Sequence, residues 1–102
     1  NPRGMSAIIA FRRWMLSLTA RRRHPRIDSM VPVEWHVFGS AVRHLSRLGD
    51  LSIGGAFLRT PAPKPVGSPI VLDLAAPRGT VTVHARVAWT DSTGMGLRFT
   101  TT

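Results

Sequence analysis

The chain has 102 residues, 43% of them hydrophobic, no cysteine, and 14 Lys and Arg against 5 Asp and Glu, for a formal net charge of +9. This length suits one small domain, the hydrophobic share excludes global disorder, and the missing cysteines remove disulfides, cysteine-bearing zinc sites and thiol nucleophiles. The basic surplus implies an anionic partner: a nucleotide, a nucleic acid, a phospholipid surface or an acidic protein. Lys64 is the only lysine, so nearly all the charge sits on planar guanidinium groups that bind phosphate or base edges bidentately, although a G- and C-rich coding sequence also favours Arg over Lys. Arg3, Arg12, Arg13, Arg21, Arg22, Arg23 and Arg26 all precede the first acidic residue, Asp28, which makes the N-terminal quarter a cationic arm.

Residues 1–4 precede Met5, a candidate natural start, and are set aside as a candidate vector remnant. Between Ser6 and Arg23 there is no Gly or Pro, and Ile8, Phe11, Met15 and Leu18 recur at helical spacing. The pattern predicts a short basic amphipathic helix inside an N-terminal extension over residues 1–20. Its apolar run, Ala7 to Phe11, is broken by Arg12 and Arg13 and falls far short of the roughly 20 residues of a membrane span. With neither a transmembrane segment nor a clear signal peptide, the expected location is cytoplasmic. His24-Pro25 ends the helix, because proline disfavours helical geometry in its predecessor.

Everything beyond that proline reads as strand. Val31, Val33, Trp35 and Val37 alternate with Pro32, Glu34 and His36, the period-two signature of a strand with one buried face. From Val42 to Thr60 the spacing of Val42, Leu45 and Leu48 also suits a helix, but Gly49, Gly54 and Gly55 predict strand, turn, strand. Thr60 to Pro69 holds four prolines and a glycine and is expected as an extended loop. Ile70, Leu72 and Leu74 mark the next strand. Val81, Val83, Ala85, Val87 and Trp89 mark another, and Met95, Leu97 and Phe99 the last. Turns fall at Arg78-Gly79 and at Asp91 to Gly94. Six short strands without intervening helices predict an all-β domain over residues 21–102, built as a small antiparallel barrel.

Two constellations can carry chemistry. In Arg22-Arg23-His24-Pro25-Arg26 a proline stiffens a cluster of guanidinium groups, which can clamp phosphates and stack on a base; alone, such a segment is more readily a solvated basic linker. In Asp50-Leu51-Ser52-Ile53-Gly54-Gly55 a carboxylate can accept two parallel hydrogen bonds from the N1 and N2 edge of guanine, with a serine hydroxyl beside it. The glycines let a flat ligand approach the backbone, but an ordinary turn uses the same residues.

Taken together, these segments make the chain resemble the PilZ domain family. The family signature is Arg-x-x-x-Arg before the first strand and Asp/Asn-x-Ser-x-x-Gly between two later strands; here they are Arg22 to Arg26 and Asp50-x-Ser52-x-x-Gly55. The likeness runs on through Gly55 to Thr60, Pro65 to Ser68, Ala85 to Trp89 and Gly94 to Phe99, covering roughly residues 21 to 100. It implies a six-stranded antiparallel barrel, preceded here by the helical, basic extension that lies outside the likeness, acting as a bacterial receptor for the second messenger cyclic di-GMP without catalysis. Carried over by position, Arg22 and Arg26 would hold phosphates and guanines with Arg23 assisting, and Asp50, Ser52 and Gly55 would receive a guanine edge. In family members with an additional Arg just before the first motif Arg, the ligand is often a self-intercalated dimer, and Arg21 fills that position here. Members also often place an aromatic near the ligand at the end of the strand that here carries Trp89, although alternation groups Trp89 with Val81, Val83 and Val87 in the core or at its rim.

His24, His36, His44 and His84 share no metal-ligand spacing, and Ser52 with the scattered acids Asp28, Glu34, Asp73 and Asp91 forms no nucleophile and base pair or carboxylate dyad, so neither a metal, a cofactor nor an enzyme is expected. As a receptor module the chain would also have a protein output partner that the sequence does not identify. The alternatives are a nucleic-acid-binding module, favoured by the charge but opposed by few exposed aromatics for stacking, and a ligand-independent protein-interaction adaptor.

Overall fold

Strands that each bury one face of alternating side chains leave two unpaired edges unless the sheet closes on itself. In the computed structural model, which describes residues 31–76 and 79–100, it does close. The strands are β1 (Val31–Val37), β2 (His44–Gly49), β3 (Gly55–Arg59), β4 (Pro69–Ala76), β5 (Gly79–Asp91) and β6 (Gly94–Phe99). They form a closed barrel in the order β1-β2-β3-β6-β5-β4, with every neighbouring pair antiparallel. The six-stranded all-β barrel expected from the sequence is therefore observed. The expected helix, arginines 21, 22, 23 and 26, and Arg78 lie outside the described residues.

The predicted alternations fill the barrel. Val33 and Trp35 of β1, Ile70, Leu72 and Leu74 of β4, Val81, Val83, Ala85 and Val87 of β5, and Met95 and Leu97 of β6 form one buried cluster with Leu48, Leu51, Ala56 and Leu58. Trp35 is enclosed despite its indole nitrogen because Nε1 donates to the Ser46 hydroxyl at 3.0 Å, and its ring stacks on His44 at 4.3 Å between centroids.

The alternation fails at one place. Opposite β6, Val87 pairs with Leu97 and Trp89 with Gly96, so Ala88 is an extra residue that forms a bulge. The bulge reverses the facing of everything beyond it and turns Trp89 out of the core, leaving it 49% exposed. The indole then lies over Gly96 and stacks against Phe57 of β3, with centroids 5.5 Å apart and planes at 24°. A Cβ on Gly96 would collide with the indole nitrogen. Gly96→Ala is thus expected to push Trp89 off Phe57 and cost about 1 kcal/mol, the scale of one aromatic pair, read as a lower urea midpoint with a shifted tryptophan emission.

Two polar devices fix the outside. Glu34 and Asp73 face each other across β1 and β4, a like-charge opposition that Arg43 relieves by reaching Asp73 Oδ2 at 3.1 Å and Glu34 Oε1 at 3.6 Å. At the turn between β5 and β6, Asp91 Oδ1 accepts from the Thr93 hydroxyl at 2.7 Å and from the Thr93 and Gly94 amides. These bonds, the hydroxyl's foremost, hold its carboxyl below the usual carboxylate range. The turn's contribution is therefore fully present at neutral pH and fades only as acid protonates Asp91.

Candidate functional site

The segment Asp50 to Gly55 crosses from β2 to β3 at the barrel end where the chain also enters β1, since Val31 pairs with Leu48. Leu51 sets its geometry. Its side chain is completely buried and pins the turn to the core, a burial worth about 1.5–3 kcal/mol, while Asp50 before it is exposed and Ser52 after it is half-buried. Asp50 has φ of 48°, and it is the one non-glycine in the left-handed region among the described residues. Aspartate tolerates that conformation better than most side chains, so one residue serves both the turn and the surface.

Ser52 closes the turn by donating from its amide to the Gly55 carbonyl at 2.9 Å and from its hydroxyl to the same oxygen at 3.3 Å. Gly54 accepts from the Phe99 amide at 2.9 Å, tying the turn to β6. Gly55 has an unexceptional φ; it is required because a Cβ there would strike the Leu97 carbonyl oxygen where β3 and β6 approach closely. The structure thus brings Asp50, Ser52 and Gly55 into one rigid turn.

Around this turn the outer sheet surface has a clear order. One row runs Gly55, Arg98, Arg86; the next runs Gly49, Phe57, Gly96, Trp89; the third runs Arg47, Arg59, Gly94. Glycines leave the floor low beneath the Phe57 and Trp89 rings, and arginines flank the rings on both sides. Glu34 and Asp73 lie elsewhere, held by Arg43 on β1 and β4, while Asp91 ends the third row beside Gly94, its carboxylate engaged by Thr93 and Gly94. Among the described residues no group of three His, Asp or Glu side chains is placed to hold a metal ion. No helix among them is long and apolar enough to cross a membrane.

The sequence marks the turn residues and raises Trp89, although its alternation groups that ring with the core or its rim, but it does not single out Phe57 or Arg98 beside them. Arg98 sat visibly on the polar side of the last alternation, but only the register places it next to Gly55.

The comparisons agree with this architecture. The chain is similar to the PilZ domain of CeSA from a cellulose-synthesizing bacterium, known from a crystal structure, with 22% identity and a TM-score of 0.63 over 74% of this chain and 79% of that one. That likeness speaks to the fold. No curated protein matches the chain significantly. The family model for the PilZ domain matches residues 20–102, most of the sequence. On that match the chain belongs to the PilZ domain family.

Proposed function

We propose that this chain is a cyclic di-GMP receptor module, the role characteristic of its family of binding domains, and that it works in the cytoplasm without catalysing a reaction. The carrying observation is the Asp50 to Gly55 turn. Leu51 anchors it so that a carboxylate stands exposed at the barrel rim beside the entry to β1. Asp50 would accept from the N1 and N2 edge of a guanine, Ser52 would steady the turn and Gly55 would keep the surface low. Arg26 lies five positions before Val31, so covalent reach keeps it within about 17 Å of that strand start. Arg22 and Arg26, with Arg23, would grip phosphates and guanine faces from the arm, and Arg21 would serve a second, intercalated ligand. Because the arm joins the extension over residues 1–20 to the barrel domain over 21–102, a ligand gripped by both restricts their relative position and changes what an output protein meets.

Calorimetric titration with cyclic di-GMP, against GTP as a control, tests this reading, and no heat from folded protein would overturn it. Asp50→Ala should weaken binding by roughly 1–3 kcal/mol, the scale of a charge-assisted hydrogen bond. Cyclic di-AMP should bind poorly to the wild type, since adenine offers that carboxylate neither N1–H nor an N2 amine. Equal affinity for both dinucleotides would reduce the arginines to an unspecific phosphate clamp.

The outward Phe57 and Trp89 pair, set among Arg47, Arg59, Arg86 and Arg98, also favours a second reading as a single-stranded nucleic-acid platform. Retardation of an oligonucleotide at physiological salt, unaffected by cyclic di-GMP, would promote it over the receptor reading.

A further inference from the structure

Arg86 and Arg98 stand directly opposite each other across β5 and β6, both exposed on the outer face. Like charges in that position repel, and the sheet gains nothing from them by itself. The two are not equivalent. Arg86 Nη1 donates to the Gly67 carbonyl at 2.8 Å, which holds its guanidinium beside the loop before β4, whereas the Arg98 side chain makes no hydrogen bond or ion pair with another described residue. Between them lies a shallow groove of about 320 Å³ lined by Val66, Gly67, Arg86, Val87, Ala88 and Arg98. Among the described residues no carboxylate lines it. The bulge at Ala88 shapes its floor, and Arg98 is also the cross-strand partner of Gly55, which puts one wall of the groove beside the last residue of the Asp50 turn.

We infer that Arg98, beside the anchored Arg86, forms a barrel-borne seat for a phosphodiester of the bound dinucleotide, separate from the phosphate grip of the N-terminal arm. An anion between the two guanidiniums turns their repulsion into attraction to a shared partner, and the planar fork suits the two non-bridging oxygens of a phosphodiester. The exposed Val66 supplies an apolar wall for the sugar or base attached to it. The seat rests on the receptor reading and adds a determinant outside both sequence motifs.

The test is calorimetric titration of the full chain with cyclic di-GMP for wild type, Arg98→Ala, Arg98→Lys and Lys64→Ala. Lys64 shares the loop of Val66 and Gly67 but does not line the groove, so its removal lowers the net charge equally without taking away a groove side chain. Arg98→Ala is expected to bind about tenfold more weakly, Arg98→Lys to recover part of that loss through charge without the fork, and Lys64→Ala to stay within twofold of wild type. Melting temperatures should coincide, because Arg98 is exposed. Wild-type affinity in Arg98→Ala, or an equal loss in Lys64→Ala, overturns the seat while leaving the receptor reading intact. Absence of binding by the wild type itself overturns the receptor reading, and the seat with it.

Discussion

Replacing Arg22 and Arg26 together by alanine is expected to lower cyclic di-GMP affinity by at least about 100-fold, since each removes a charge-assisted contact of roughly 1.5–3 kcal/mol. The barrel should not register the change. Its buried cluster is built from residues between Val33 and Leu97, with Val31, Val37 and Phe99 packed at its margin, so urea unfolding should give the same midpoint for the double variant. That separation matters for the interpretation, because loss of binding with unchanged stability assigns the two arginines to the ligand. Retained affinity would mean that the arm is a solvated linker and that recognition lies wholly on the barrel, at Asp50, Arg98 and the rings between the arginine rows.

The barrel was legible because alternation is a local property: each strand shows its buried face without reference to its neighbours. What the sequence does not display is register, since neighbours across the sheet are many residues apart. Trp89 shows the consequence. The alternation from Val81 carries it inward, and only the two-against-one pairing at Ala88 turns it out to Phe57. Arg43 is a similar case, reading as one more basic residue until β1 and β4 set Glu34 against Asp73 beneath it. The turn was half legible. The types and spacing of Asp50, Ser52 and Gly55 marked the turn as a candidate site, but the spacer Leu51, which pins it to the core, carried no distinguishing sign among so many leucines.

Adjacent glycines in that turn should respond very differently to a single methyl group. Gly55→Ala is expected to cost about 3 kcal/mol or more, at the upper end of overpacking effects. The group its Cβ meets is the Leu97 carbonyl, a backbone atom that cannot rotate aside, so β3 must draw away from β6 at the point where Gly55 pairs with Arg98. That movement also strains the bond from the Phe99 amide to Gly54 and shifts Arg98, so the protein that remains folded should bind cyclic di-GMP more weakly. At Gly54 a Cβ meets nothing within 4 Å, and its φ is not positive. Gly54→Ala should therefore be neutral or slightly stabilising, by up to about 1 kcal/mol, because alanine restricts the unfolded chain more than glycine. Urea unfolding of the two variants decides the matter. Equal stability would show that β3 and β6 can part at no cost, and the close approach at Gly55 would lose its structural meaning.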